Sequence, residues 1–256
     1  MAKKLSKRLG LKCATGLVLG AAAASFLAPT SADASLVLVL SEPGFATVTV
    51  PDGGTGSIHY LLPYGDFSAD ITIAKSNSPG NPTGGLISLQ SNFLTNTSNH
   101  AATLSLSVAD VNFAAPNTSD TNLTLKSALG GTFTSSTSSD SIQYTSYADA
   151  ANHPLTNLDS SPNPAGVTST GSPLLVSPGG NAEAFSSQTS TTFTRNGLYS
   201  LAGLTTITLS PNNSVISFSA DTSTGSGIGN GTPEPASAAV IAATGGFLML
   251  RRRRRA

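Results

Sequence analysis

Apolar residues alternate with serine and threonine along most of the middle of this chain. The alternation is found in residues 45–50, 71–73, 104–108, 123–125, 207–209 and 215–218. Because successive side chains of a β-strand point to opposite faces, this pattern predicts strands with one buried face and one face covered by hydroxyl groups. Roughly ten such candidates lie between Leu36 and Ala220, and no long segment repeats at the helical period.

Turn-forming residues separate these strand candidates. Residues 51–54, 78–82 and 210–213 combine proline, which fixes φ, with glycine or asparagine, which tolerate positive φ. We therefore expect the strands on either side to reverse direction. The predicted fold is all-β: an antiparallel β-sandwich of jelly-roll or immunoglobulin-like type over residues 35–220, with two smaller sandwiches as the alternative.

Two segments depart from the alternating pattern. Residues 149–180 contain five prolines and only brief apolar runs, which indicates either a functional loop or a disordered excursion. Residues 221–232 are dominated by Gly, Ser and Thr, a composition that is typical of a flexible linker.

The first 34 residues have the three parts of a secretory signal peptide. A basic start precedes an apolar run from Leu11 to Leu27, and the small residues Ala32 and Ala34 follow it. We predict a signal helix that signal peptidase removes after Ala34. A permanent N-terminal membrane anchor is the alternative, and the short, alanine- and glycine-rich run argues against it. Because Cys13 is the single cysteine, the processed chain would have no disulfide and no thiolate metal site.

A second apolar run lies near the C-terminus. The 15 residues 236–250 follow Pro235 and precede five arginines. As a helix this run would span about 22 Å, compared with about 30 Å for the hydrocarbon core of a bilayer. Pro235 suits the first helical turn, and the arginines would stay on the cytoplasmic side because guanidinium groups are costly to move through lipid. A core helix with a solvated basic tail is the alternative, although residues 236–250 show no amphipathic stripe.

This C-terminal arrangement resembles the PEP-CTERM sorting signal of exported bacterial proteins over residues 233–256. The resemblance implies a recognition motif and a membrane stop, formed by Pro233, Glu234 and Pro235 and by Arg251, Arg252, Arg253, Arg254 and Arg255 respectively. It also implies processing by an exosortase, an integral-membrane cysteine transpeptidase that cleaves near the motif. Thr232 stands where the commonest family form has valine.

The resemblance also implies a route. The chain would be exported through the inner membrane and anchored by its C-terminal helix before cleavage. After processing it would belong to the cell surface or to an extracellular matrix, in association with exopolysaccharide.

The charges are segregated along the chain. Residues 35–232 carry three basic and eleven acidic side chains, a net charge of −8, while both ends are basic. An acidic middle without a clustered basic face would be repelled by phosphates, so nucleic acid is not an expected partner.

Catalytic and metal-binding residues are not predicted. The three histidines are His59, His100 and His153, and none accompanies a Gly-x-Ser-x-Gly elbow. Glu42, Glu183 and nine aspartates could supply acid pairs, but most of the aspartates adjoin turn formers, where local hydrogen bonds explain them. Calcium candidates are Asp66 with Asp70, and Asp140 with Asp149 and Asp159. No cofactor is expected.

The aromatic residues give little support to sugar binding. There is no tryptophan, and Tyr144 and Tyr147 lie three residues apart, so in a strand they point to opposite faces and one is expected in the core. The sequence therefore favours a non-enzymatic, exported surface or matrix protein. The alternative is an extracellular carbohydrate-binding module or polysaccharide hydrolase that the same signals deliver.

Overall fold

Thirteen β-strands account for most of the described chain. The computed structural model describes residues 36–61, 63–116, 121–156, 166–180, 182–211 and 215–226, and these residues form no helix. The strands are β1 (Val37–Ser41), β2 (Val48–Pro51), β3 (Ser57–Tyr60), β4 (Phe67–Ser76), β5 (Leu86–Asn96), β6 (Ala102–Phe113), β7 (Asn122–Ser135), β8 (Ser141–Asp149), β9 (Val167–Ser169), β10 (Leu174–Val176), β11 (Glu183–Thr194), β12 (Tyr199–Leu209) and β13 (Val215–Ser226).

The strands form two sheets. Sheet A has the order β10-β8-β12-β6-β1-β2, with β9 also paired to β8, and sheet B has the order β11-β7-β13-β5-β4-β3. The pairings in both sheets are antiparallel. The prediction of an all-β antiparallel sandwich is confirmed. The predicted signal helix, residues 1–34, and the predicted apolar helix, residues 236–250, lie outside the described residues.

Alternation along each strand builds the core between the sheets. In β13, Ile216, Phe218 and Ala220 are buried, while the residues between them are half-exposed. The same pattern in the other long strands gives one apolar cluster with contributions from both sheets. Burial of this surface is the main favourable contribution to folding. Within the described residues, which belong to the unit Ser31–Ala256, no helix has the length and apolarity needed to cross a membrane.

Strand β13 continues beyond the predicted end of the sandwich. It runs to Ser226 and pairs with β7 on one side and with β5 on the other. Residues 221–226, which the sequence assigns to a linker, are therefore part of sheet B. Their alternate side chains Thr222 and Thr224 are buried although they are polar, which is why composition suggests a linker. Residues 227–232 lie outside the described residues.

The predicted turns differ in what they connect. Residues 78–82 reverse the chain between β4 and β5, which pair with each other as expected. Residues 51–54 instead lie between β2 of sheet A and β3 of sheet B, and residues 210–213 lie between β12 and β13, again in different sheets. Turn chemistry indicates where the chain bends, but the sheet that the next strand joins depends on long-range pairing.

Two short stretches of the segment 149–180 belong to sheet A. Strands β9 and β10 both pair with β8. Leu155 covers Ala109, Tyr147 and Ala202 on the outer face of sheet A, which forms a second, smaller apolar cluster. Residues 167–169 and 174–176 are therefore strands and not a disordered excursion, and strands of three residues are too short to show alternation in the sequence. A functional role for the segment stays a prediction.

Candidate functional site

The site residues predicted from the sequence fall outside the described residues. They are Ala32 and Ala34 at the signal cleavage site, Pro233, Glu234 and Pro235 in the sorting motif, and Arg251, Arg252, Arg253, Arg254 and Arg255 in the membrane stop. Within the described residues, the sandwich contains histidine–carboxylate pairs and buried hydroxyl groups that bond across the two sheets.

Three connecting segments meet around Glu42, Asp66 and His100. Glu42 follows β1 and is only 4% exposed, and its Oε2 accepts a hydrogen bond from the backbone N–H of Asp66 at 3.0 Å. Asp66 Oδ2 lies 2.9 Å from His100 Nε2. Gly65 permits this approach, because it has φ +57° and a Cβ there would lie 2.7 Å from Glu42 Cδ and still closer to Oε2. The cluster ties the β1–β2, β3–β4 and β5–β6 connections together.

Burial controls the electrostatics of this cluster. It raises the pKa of Glu42 above the ordinary value, the neighbouring Asp66 carboxylate raises that pKa further, and the Asp66 N–H and His100 oppose the increase. The other ring nitrogen of His100, Nδ1, lies 3.4 Å from Asn99 Oδ1. In a Ser-His-Asp triad, the histidine nitrogen that does not face the aspartate is hydrogen-bonded to a serine hydroxyl, and here it faces the amide oxygen of Asn99 instead. The arrangement therefore links loops and does not resemble a nucleophile site.

The raised pKa of Glu42 predicts a pH-dependent stability. The folded state binds the Glu42 proton more tightly than the unfolded state, so this contribution is present below the ordinary pKa of 4.5 and is lost as pH rises through the folded-state pKa. We expect Glu42→Gln to flatten the decline in the thermal unfolding midpoint as pH rises above 4.5. Glu183→Gln, which removes the same charge from an exposed side chain, should leave the decline intact. Equal slopes for wild type and Glu42→Gln would contradict this prediction.

The other two histidines lie at the surface. His59 is an exposed residue of β3. His153 has a side chain that is 75% exposed, and its Nδ1 lies 2.8 Å from Asp149 Oδ2. Asp149 is buried and also accepts hydrogen bonds from the backbone N–H groups of Ala151, at 2.9 Å, and of His153, at 3.0 Å. This carboxylate closes the turn after β8.

Asp140 and Asp149 do not form the predicted calcium group. Asp140 and Asp149 lie at opposite ends of β8, about 30 Å apart, so their proposed grouping is wrong. Asp140 instead accepts hydrogen bonds from the backbone N–H groups of Thr137, at 2.7 Å, and Ser210, at 2.6 Å. Asp159 and the side chain of Asp70 lie outside the described residues. Among the residues that are described, no three His, Cys, Asp or Glu side chains are placed to hold a metal ion.

Tyr144, Tyr147 and Tyr199 pack on the two faces of sheet A. Tyr144 lies in the core between the sheets, and Tyr147 lies in the outer cluster under Leu155, so the prediction that they point to opposite faces is confirmed. Tyr199 is fully buried, and Tyr64 is buried with its hydroxyl donating to Ala46 O at 3.1 Å. The described tyrosines therefore form no exposed row.

Hydroxyl groups bridge the two sheets inside the core. Tyr144 Oη, from sheet A, is hydrogen-bonded to Thr222 Oγ1, from sheet B, at 2.6 Å, and Thr222 Oγ1 donates to Ser146 Oγ at 2.8 Å. Ser127 Oγ donates to Ser146 Oγ at 2.5 Å and is hydrogen-bonded to Thr170 Oγ1 at 3.0 Å. Burial raises the pKa of Tyr144, so its hydroxyl stays protonated. We call these five residues the core hydroxyl network.

A second hydroxyl bridge surrounds Tyr199. Its Oη donates to Ala115 O at 2.5 Å and is hydrogen-bonded to Thr224 Oγ1 at 2.7 Å, while Gly85 N donates to the same Thr224 oxygen at 2.9 Å. The Arg195 guanidinium lies 6.0 Å from the centre of the Tyr199 ring. In both bridges, hydrogen bonds satisfy buried hydroxyl groups, because burying such a group without a partner would destabilise the fold.

Phe93 is an exposed aromatic residue that the alternation pattern does not reveal. Phe93 in β5 has φ +57°, and its side chain is 66% exposed. Its backbone N–H donates to Ser217 Oγ at 3.1 Å, beside an irregularity in the β5–β13 pairing. The exposure of Phe93 coincides with a change in the spacing of the buried residues of β5, from two residues to three between Ser91 and Leu94. A large residue with positive φ marks a locally strained position.

Comparisons with known proteins add no relative. No family model matches the chain, and no curated protein matches it. A search of solved structures returns the "Crystal structure of infectious bursal disease virus VP2 subviral particle", which is 12% identical, with 87% of this chain and 69% of that chain covered and a TM-score of 0.12. A similarity at this level carries no argument about fold or function. The structure itself defines the chain as an antiparallel β-sandwich.

Proposed function

We propose that this chain is an exported, non-enzymatic protein that an exosortase processes at residues 233–256 and that ends on the cell surface or in an extracellular matrix. The observation that carries the proposal is the order of three sequence features at the C-terminus: the motif from Pro233 to Pro235, the apolar run 236–250 and the arginines that follow. Signal peptidase and exosortase are the processing partners, and the C-terminal helix is the membrane anchor before cleavage.

The end of the sandwich supports this arrangement. Strand β13 ends at Ser226, and six residues, 227–232, separate it from Pro233 in the sequence. Because three of these six residues are glycine, the composition is typical of a linker, and a protease could reach Glu234 without opening the sheet. The finer architecture belongs to the same proposal: a sandwich of jelly-roll or immunoglobulin-like type between a signal helix and a short apolar helix.

The surface of sheet B supports a role in a hydrated matrix. The outward side chains of β11 are exposed and uncharged at Ser186, Gln188, Ser190 and Thr192. Such groups exchange hydrogen bonds with water or with sugar hydroxyls at little cost. The side chains that could serve catalysis are engaged elsewhere, His100 with Asp66 and Asn99, and Asp149 with backbone N–H groups. We therefore prefer this role to that of a carbohydrate-binding module or polysaccharide hydrolase.

Intact-mass analysis of the protein from producing cells tests the proposal. The exported form is expected to begin at Ser35 and to lack the arginines 251–255, and cells without the sorting protease are expected to retain them. Glu234→Ala should block the cleavage because it alters the recognition motif. Thr232→Val, which restores the commonest family residue, should be processed like wild type. A mature wild-type form that keeps the arginines would overturn the proposal.

A further inference from the structure

The sheet edges of the described sandwich are protected unequally. An unpaired strand edge presents free N–H and C=O groups to other chains, and proteins restrict this by short edge strands, proline or bulges. Strand β2 has four residues and ends at Pro51, β3 has four residues and a register shift between Ile58 and His59, and β9 and β10 have three residues each. The remaining edge strand, β11, has 12 residues.

Strand β11 has none of these protective features. It pairs with β7 without a break, from Glu183 opposite Phe133 to Thr194 opposite Asn122. It contains no proline, and Glu183 is its one charged residue. Within the described chain no strand pairs with its other side. Half of its backbone polar groups face that side, because the groups of a strand alternate in direction.

The side chains of β11 would be buried further by another strand. Phe185 packs against the core but is only half-buried, and Thr189 and Thr191 on the same face are also half-buried. A strand added beside β11 would extend this inner face. It would also place new side chains next to the exposed hydroxyls of the outer face, and cross-strand Ser and Thr pairs stabilise sheets.

We propose that β11 pairs with β11 of a second copy of this chain, in antiparallel orientation. Parallel pairing would place the two Glu183 side chains together, whereas antiparallel pairing centred on Thr189 separates them by about 40 Å. In the register centred on Thr189, Phe185 of one copy lies opposite Phe193 of the other, so an aromatic pair lies near each end of the interface.

This geometry limits the assembly to two copies. The same strand serves both copies, so the interface has two-fold symmetry and closes on itself. Because the other described edges are short, the dimer offers no second long edge for growth. The two six-stranded sheets would join into one sheet of twelve strands. This inference goes beyond the proposed function and does not rest on the sorting signal.

The test compares the mass of the exported protein with that of a charged variant, by light scattering during size-exclusion chromatography. We expect wild type to have twice the mass of one chain. The double variant Gln188→Lys/Ser190→Lys should show half that mass, because the proposed register places like charges directly opposite each other. Both positions are exposed in the single chain, so the variant should keep the thermal unfolding midpoint of a folded domain.

A matched control adds the same charges away from the edge. Ser68→Lys/Gln90→Lys changes the same residue types at exposed positions of β4 and β5, and this variant should remain a dimer. Hydrogen exchange should show β11 amides protected in wild type and less protected in Gln188→Lys/Ser190→Lys. A monomeric wild-type protein would overturn the proposal. If the β11 amides of that monomer were protected, another segment of the same chain would cover the strand. A dimer that persists in Gln188→Lys/Ser190→Lys, or an open series of larger assemblies, would overturn it as well.

Discussion

Replacing Gly203 with alanine is expected to lower the thermal unfolding midpoint sharply. A Cβ at this position in β12 would lie 2.9 Å from Cε2 and 3.0 Å from Cζ of Tyr144, and closer still to its hydroxyl. Tyr144 cannot move away easily because it is buried and its hydroxyl is bonded to Thr222. The overpacking should cost about 1–3 kcal/mol, and loss of the hydrogen bond about 1 kcal/mol more.

Two variants separate this clash from the general effect of replacing a strand glycine. Gly130→Ala, in β7, should be neutral or stabilising, because its nearest neighbour would be Phe185 O at 3.6 Å. Tyr144→Phe removes the atom closest to the new methyl group, so it should cost less in the Gly203→Ala background than in wild type. Equal midpoints for Gly203→Ala and Gly130→Ala would show that the Tyr144 ring yields without penalty.

Two buried threonines are expected to respond to valine with opposite signs. Thr222 and Thr205 are both 0% exposed. Thr222 Oγ1 is shared by Tyr144 and Ser146, so Thr222→Val would leave two buried hydroxyls short of a partner and should cost about 1–3 kcal/mol. Thr205 Oγ1 has no hydrogen-bond partner among the described residues, so Thr205→Val should stabilise the fold by about 1 kcal/mol.

Urea unfolding monitored by circular dichroism measures both effects. Thr206→Val serves as the control, because Thr206 is half-buried on the outer face of the same strand as Thr205, and its effect should stay within about 0.5 kcal/mol. If Thr222→Val is no more destabilising than Thr206→Val, the core hydroxyl network has no energetic role, and a destabilising Thr205→Val would contradict the expectation for Thr205.

The alternation of apolar and polar residues accounts for most of what could be predicted about the fold from the sequence. It located strands where leucine, isoleucine or valine marked the inner face, as in residues 104–108 and 207–209, although in residues 45–50 the strand begins only at Val48. It failed where the inner face is polar. Thr222 and Thr224 appear solvent-facing by composition, yet they are buried against Tyr144 and Tyr199 from the other sheet. A hydroxyl that meets its partner across the core has no local signature.

The chemistry of the described residues was less predictable for the same reason. Glu42 and Asp66 lie 24 positions apart and become neighbours only because two connections meet. The Asp140 and Asp149 pair looked plausible as a metal site, but a straight strand holds them apart. The strained backbone at Phe93 follows from a pairing irregularity that involves β13, more than 120 positions away.

The position of the last two strands has a consequence for the order in which the chain can fold. Strand β12 lies between β6 and β8 in sheet A, and β13 lies between β5 and β7 in sheet B. Until residues 199–226 are available, each sheet consists of two separate pieces. A chain whose N-terminus emerges first cannot complete either sheet before β12 and β13 are available. Contacts between residues this distant in sequence also form slowly. The sandwich is thus completed last at its centre, after nearly all of the chain has been delivered.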